Sequence, residues 1–309
     1  MTDLQETPSS APAGSNGRRR LKVAGVVALV GLIVVGFLVW YFLIRDTSAA
    51  SVDSDEAAEA RAEALAEAAA DDASEPEQAP AEEPAAEQPA PDEPAVAEDP
   101  PAPTPAPEPA AEETGAGLDG TWTVDSTIGT FNDACLTDVC DATFVGFRIN
   151  EELANIGAKT VVGRTPGVIG TLEIEGTTIT NTEIVVDMTL LVTDSDSRTN
   201  AIRNQAIETA TFPEAGFTLT SPIDLGALPA DGESVTVDAV GDLTIHGVTR
   251  TETIPLTAER AGDVIVVFGQ LGPILLADYE IDEPQAAVVL SVEDNAIMEL
   301  QLFFTRATR

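Results

Sequence analysis

Between residue 118 and the C-terminus, apolar residues fall at every second position over long stretches. In 184–192 the even positions Ile184, Val186, Met188, Leu190 and Val192 are all apolar. In 235–245 the odd positions Val235, Val237, Ala239, Gly241, Leu243 and Ile245 are small or apolar, and Thr236, Asp238, Asp242 and Thr244 alternate with them. Near the end, Met298, Leu300, Leu302 and Phe304 share one face, opposite Glu299 and Gln301. A period of two is that of a strand with one face in a core and the other in water. Further strands are expected around 121–128, 143–149, 168–175, 216–221, 249–257, 264–270 and 286–293. Glu175-Gly176, Asp231-Gly232, His246-Gly247 and Ala261-Gly262 punctuate them. One short helix is expected over 199–209, capped by Thr199 or Asn200, with Ile202 and Ile207 against an apolar surface. Many meandering strands and one short helix predict an all-β fold, an antiparallel barrel whose closure removes exposed edges. A barrel of about eight strands is wide enough to hold one elongated apolar ligand, but alternation does not distinguish a hollow interior from a filled one.

The other apolar concentration has no alternation. Leu21–Ile44 carries Lys22 as its only charge and is long enough to cross the roughly 30 Å of a bilayer core as a helix. Trp40 and Tyr41 stand near its end, where amphipathic rings favour the interface. Arg18, Arg19, Arg20 and Lys22 precede or open the run, whereas Arg45 alone follows it. The positive-inside rule therefore places a short N-terminus, 1–20, in the cytoplasm, a single transmembrane anchor at 21–44, and the remainder outside. The competing reading is a cleaved signal peptide, with small residues at Ser48-Ala49-Ala50. Its apolar core would span only about 7–15 residues.

Composition changes sharply after the anchor. Residues 45–117 are rich in Ala, Glu and Pro, carry Arg45 and Arg61 as their only basic residues and have no aromatic side chain. Such a segment buries too little apolar surface to offset its chain entropy, so a disordered acidic stalk is expected. Asp55–Asp72 has good helix propensity but a single Leu, Leu65, which is too little for a coiled-coil seam. Twelve prolines between Pro76 and Pro109 favour extended backbone. The stalk reads either as a spacer that holds the folded domain, 118–309, away from the bilayer or as a plain solvated linker. Over the whole chain 53 acidic residues face 15 basic ones, a formal charge of −38. That charge argues against nucleic acid as a partner and against attraction to anionic headgroups.

The chain has two cysteines, Cys135 and Cys140, and one histidine, His246. Outside the cytoplasm an even pair at short separation most simply forms a disulfide. A metal site lacks further ligands, and a redox centre usually separates its cysteines by two residues. His246 falls in the outward phase of its strand just before Gly247, which suits packing at a turn. No spacing supplies a nucleophile with its base, a phosphate loop or a metal cluster, so no catalytic residue, metal or cofactor is assigned and the chain reads as a non-enzyme.

Three segments together carry a resemblance. Gly241-Asp-Leu-Thr-Ile-His-Gly-Val-Thr-Arg250 resembles the most characteristic stretch of the YceI-like family. Trp122-Thr-Val-Asp125, with Ile128 and Phe131, is similar to that family's first strand. Thr199-Asn200-Ala-Ile-Arg203, leading to Thr211-Phe212-Pro213-Glu-Ala-Gly-Phe217, is similar to its helix, Phe-Pro and following strand. The resemblance implies a lipocalin-like barrel that binds a polyisoprenoid chain inside, in a secreted or periplasmic protein of the bacterial cell envelope. Two departures concern the polar contacts. Asn204 stands where the family commonly has Asp, and 132–142 replaces the stretch that usually brings a histidine near the first strand.

The expected ligand is thus an isoprenoid-type lipid, a polyprenol or a quinone tail, held by apolar contact. The candidate lining is Phe144, Phe147, Met188, Leu190, Phe212, Phe217, Leu243, Phe268, Leu300 and Phe304, each of which has ordinary core packing as its alternative. Phe144 and Phe147, three apart, face opposite sides of a regular strand. Arg203 and Arg250, with Arg198, are candidates for a headgroup, against the simpler alternative of pairing with a nearby carboxylate. The rival function is an envelope interaction module with a filled barrel. An enzyme working through the cysteine pair ranks last.

Overall fold

The computed structural model of the chain describes residues 31–35, 48–72, 117–154, 157–285 and 289–307. The expected cytoplasmic N-terminus, 1–20, lies outside them. So does the expected anchor at 21–44, apart from 31–35, which are helical. Among the described residues no helix is long and apolar enough to cross a membrane. The proline-rich part of the expected stalk, 73–116, also lies outside.

In chain order the elements are α1 (Asp55–Asp72), β1 (Gly120–Val124), α2 (Ala134–Thr137), β2 (Phe144–Leu153), β3 (Gly157–Thr165), β4 (Val168–Glu175), β5 (Thr178–Asp187), β6 (Val192–Thr193), α3 (Asp196–Ala201), β7 (Glu214–Leu219), β8 (Ile223–Asp224), β9 (Ser234–Ile245), β10 (Val248–Ala261), β11 (Val264–Ile274), β12 (Val289–Val292) and β13 (Ala296–Arg306). Every strand pairing is antiparallel. Eight strands close a ring in the order β1-β4-β5-β7-β9-β10-β11-β13, and β13 returns to β1. The first half of β13 pairs instead with β2, Met298 opposite Phe147, so that the wall continues through β2, β3 and β6 toward one end. The expected all-β antiparallel barrel is therefore the observed fold.

Local chemistry accounts for the departures from the expected boundaries. The strand expected over 184–192 stops at Asp187, whose carboxylate accepts from Thr189 N at 2.8 Å and turns the chain into a 3₁₀ turn at Met188–Leu190. The expected helix begins earlier, capped by the Ser195 hydroxyl rather than by Thr199 or Asn200, and widens into a π turn over Ile202–Ala206. Strand β3 was hidden from the alternation rule because Gly163 and Arg164 interrupt its apolar pattern.

Residues 48–72 differ most from expectation. They are not a free stalk but lie along the outside of the barrel, across β13 and its neighbours. Ala49 O accepts from Arg148, Ala50 O from Arg164 at 2.9 Å, and Val52 N donates to Glu299 at 3.4 Å. Arg61, on α1, donates to Val52 O at 2.6 Å and lies 3.5 Å above the Phe268 ring. Ala64 and Leu65 pack on Val264, Val266 and Phe303. Glu299 and Gln301, which alternation assigns to solvent, are in consequence wholly buried. Glu299 accepts from Arg164 at 2.6 Å and from Arg148 at 3.0 Å. Burial pulls the Arg164 guanidinium below the usual arginine range, and Glu299 opposes that shift. The loop over α2 closes the same face. Its disulfide joins Cys135 to Cys140 as expected, Cys135 O accepts from Arg164 at 2.6 Å, and Cys140 O accepts from Gln301 at 3.1 Å.

Among the described residues Glu299 is the sole carboxylate bridging Arg148 and Arg164, so losing its charge leaves two guanidinium groups uncompensated in a buried place. Glu299→Gln is expected to cost about 3–5 kcal/mol, read as a lowered urea midpoint with an unchanged slope. A midpoint equal to that of the unsubstituted chain would remove this cluster from the account of stability.

Candidate functional site: an apolar cavity along the barrel axis

The inward positions of the ring enclose a cavity of about 400 Å³ that runs the length of the barrel. At one end, the mouth, it is bounded by α3, the following π turn, β12 and the 275–285 connection; at the other it reaches the region of Ile179, Leu225 and Pro229. The wall is almost entirely apolar. Small residues, such as Ala215, Ala239 and Ala258, take inward positions of the wall and leave room along the axis.

Six of the ten expected lining residues reach this wall: Phe147, Met188, Phe217, Leu243, Leu300 and Phe304. Two of the aromatic rings are seated on glycines of the neighbouring strand. A Cβ at Gly163 would lie 2.4 Å from the Phe147 ring, and one at Gly241 would lie 2.3 Å from that of Phe217. The glycines therefore let each ring lie flat against the sheet instead of projecting into the lumen.

The other four belong elsewhere. Phe144 and Phe268 occupy the outward phase of β2 and β11, beneath the Arg164 and Arg61 guanidinium groups at 4.1 and 3.5 Å. They cushion the covered outer face rather than the lumen. Leu190 leaves the strand phase in the 3₁₀ turn and is exposed. Phe212 packs edge-on to His246, with ring centres 4.3 Å apart, and a Cβ at Gly247 would come within 2.7 Å of it. Two of the three expected headgroup residues are likewise displaced. Arg203 donates to Leu191 O at 2.7 Å, while Arg250 lies outside the ring, 3.6 Å from Asp278 and 3.8 Å from Glu252. Arg198 is the arginine at the mouth. It bonds Glu151 at 2.7 Å and pairs with Asp194, beside Ser195 and Ser197, in the one polar patch of that end of the wall. Arg198 is the third expected headgroup residue; its partner Glu151 was not legible from spacing, because β2 and α3 meet only in the fold.

The 241–250 stretch gains a physical reading here. Gly241 seats Phe217, Leu243 and Ile245 face the lumen, Asp242 accepts from Thr251 at 2.7 Å, and the Thr244 and Thr249 hydroxyls meet at 2.7 Å. His246 and Gly247 form the two-residue hairpin turn with φ of 52° and 74°, the left-handed pair that matches strand twist. The His246 ring meets Tyr279 O at 3.1 Å and Glu208 at 3.3 Å. It ties the turn to both flanks of the mouth, which is the packing role expected of it. The 212–217 and 241–250 segments thus interlock through Phe212 on Gly247 and Phe217 on Gly241.

Tyr279 is buried beside this turn, and its hydroxyl bonds Glu252 at 3.2 Å. Burial, with Glu252 second, pushes its pKa well above the usual tyrosine range. A group favoured in its neutral form contributes stability that is present below its unfolded pKa, about 10, and lost as pH rises beyond it. Tyrosinate absorbance of Tyr279 is expected to develop later than that of an ordinary tyrosine and together with unfolding. Tyr279→Phe should flatten the alkaline fall in stability above about pH 10. An ordinary titration of Tyr279 in the folded chain would contradict the buried geometry.

Among solved structures, a polyisoprenoid binding domain from Saccharophagus degradans implicated in plant cell wall breakdown is 22% identical, covers 60% of this chain and 98% of its own, and has a TM-score of 0.45. BcnA of Burkholderia cenocepacia is 16% identical over 53% of this chain and 96% of its own, with a TM-score of 0.40. The YCEI protein of Campylobacter jejuni is 13% identical over 47% and 85%, with a TM-score of 0.39. No curated protein matches. The YceI-like domain matches residues 137–304, more than half of the 309 residues. With that match lying over the cavity and its interlocked segments, the chain belongs to the YceI-like domain family.

Proposed function

We propose that this protein is a membrane-anchored, extracytoplasmic carrier of an isoprenoid-type lipid, whose tail lies in the barrel and whose headgroup meets Arg198 and Glu151 at the mouth. The observation that carries this reading is the cavity itself, long and almost entirely apolar along its wall, with Arg198, Glu151 and two serines at the mouth and Glu259 and Arg260 at the far end. Its volume falls within the range of about 300–1,000 Å³ usual for small-molecule sites. Each methylene removed from water contributes about 0.8 kcal/mol, so three isoprene units contribute about 12 kcal/mol. That is comparable to the roughly 4–15 kcal/mol lost on association. A polyprenol and a quinone tail satisfy the wall equally, and the two serines with Arg198 suit an oxygen-bearing headgroup. The Cys135–Cys140 disulfide suits an oxidising compartment, and the basic flank of 21–44 suits an anchor with the barrel outside. The role in this reading is binding: the apolar wall offers contact to a tail along its length. The acidic domain leaves nucleic acid without an attractive surface.

The test is mass spectrometry of lipid co-purified with the full chain from its native membrane. A near-stoichiometric prenyl lipid is expected. Ala239→Phe, which places a ring in the lumen, should lower its recovery at least tenfold while far-ultraviolet circular dichroism is unchanged. Absence of prenyl lipid from the unsubstituted chain, combined with failure to take up added polyprenol or quinone, would falsify the carrier reading.

A further inference from the structure

Residues 48–72 run along the outside of the barrel in one direction. Ala49 and Ala50 meet Arg148 and Arg164 in the mouth half, Ser51 meets Gln270, and Arg61 meets Gln301 at 3.4 Å. Farther on, a Cβ at Gly262, in the hairpin turn of the opposite end, would lie 3.8 Å from Ala69. The chain re-enters at that same far end. Arg306 donates to Gly117 O at 2.5 Å and Asp119 O at 3.0 Å, and lies 3.7 Å from Asp263 beside the Gly262 turn. The acidic, proline-rich stretch 73–116 therefore leaves from and returns to one end of the barrel, the end away from the mouth. At the other end of the docked segment, Ser48 is four residues beyond Ile44, the last of the apolar run. Four residues reach at most about 14 Å.

A second, independent feature marks the mouth end. Outside 31–35, the exposed large apolar side chains among the described residues are Ile169, Leu190, Leu275 and Leu290. Ile169 opens β4 opposite Val185, Leu190 follows β5, Leu275 follows β11, and Leu290 lies in β12 against the end of β2. All four elements meet solvent at the mouth end.

We propose that residues 48–72 are a clasp that holds the barrel against the outer leaflet with its mouth toward the bilayer, Ile169, Leu190, Leu275 and Leu290 forming the rim that touches lipid. This rests on the anchor reading of residues 21–44. Charge does not draw so acidic a domain to an anionic leaflet; the short covalent route through 45–47 takes the place of that attraction. The stretch 73–116 then sets no distance between barrel and membrane, because it is bypassed by the clasp. A lipid tail passes between leaflet and lumen at the rim without crossing open water, where its exposure would cost about 25 cal/mol per Å².

The experiment uses the full chain in nanodiscs containing nitroxide-labelled lipid. A fluorophore is placed either at the rim, through Leu290→Cys, or at the far end, through Glu175→Cys. The rim label is expected to be quenched at least threefold more than the far label, with the same ratio after deletion of residues 76–109. Leu65→Asp combined with Arg61→Ala, which loosens the clasp without touching the ring, should bring the two labels to equal quenching. A chain that stays with the nanodisc yet shows no excess quenching at Leu290 overturns the proposal alone. So does a far label that becomes quenched when 76–109 are deleted, since a spacer would then set the height. A chain that does not stay with the nanodisc overturns the anchor reading and the proposal with it.

Discussion

Closing eight antiparallel strands into a ring commits every second side chain to an interior with no opposing sheet to mesh with. Whether that interior fills depends on the size of the inward residues and on how the rings among them lie. Here small residues punctuate the wall, and Phe147 and Phe217 lie flat because Gly163 and Gly241 make room beside them. The lumen stays apolar and open as a result. Its closed wall leaves the two ends of the ring as the openings of the lumen.

The outer face obeys a different rule. A barrel of this kind ordinarily presents polar side chains to water, and β13 does carry Glu299 and Gln301 on that side. The docked segment 48–72 and the disulfide-closed loop around α2 convert the position into a second interior. There, charge is tolerated because Arg148, Arg164 and Glu299 satisfy one another and because backbone carbonyls of Ala49, Ala50 and Cys135 accept from the two arginines, while Val52 O accepts from Arg61. Breaking such a set is costlier than never having formed it, so the cluster serves to specify one placement of the preceding chain. The two interiors share β13: Met298 and Leu300 face the lumen, and Glu299 between them faces the docked segment.

The mouth shows how the family's characteristic segments work together. Phe212 against His246 and Gly247, and Phe217 against Gly241, bind the approach to β7 onto the β9–β10 hairpin, and Tyr279 fastens the 275–285 connection over the same turn. Rigid packing beneath the opening leaves Arg198, Glu151 and the two serines presented at a fixed place beside an apolar channel. The segments that carry the resemblance are thus chiefly structural supports of the mouth, while the polar groups at the channel come from elsewhere in the chain.

Alternation alone determined the fold class, the inward faces of β5, β9 and β13, and the turns at Gly176, Gly247 and Gly262, because a strand's period and a turn's need for left-handed backbone are local properties. Short separation and compartment likewise predicted the Cys135–Cys140 bond. The same rule assigned Leu243, Leu300 and Phe304 to the lumen, as the structure has them, and failed for Leu190 where the strand ended early. It could not assign Phe144 and Phe268, which are as apolar as any lumen residue but face a covered outer wall. Nor did composition foresee that 48–72 would dock. An Ala- and Glu-rich stretch carries too little apolar surface to hold itself, and what holds it is a ready-made site of arginines and a carboxylate on strands about a hundred residues or more away. Such contacts join positions whose meeting is set by strand register and ring closure, and those exist only once the chain has folded.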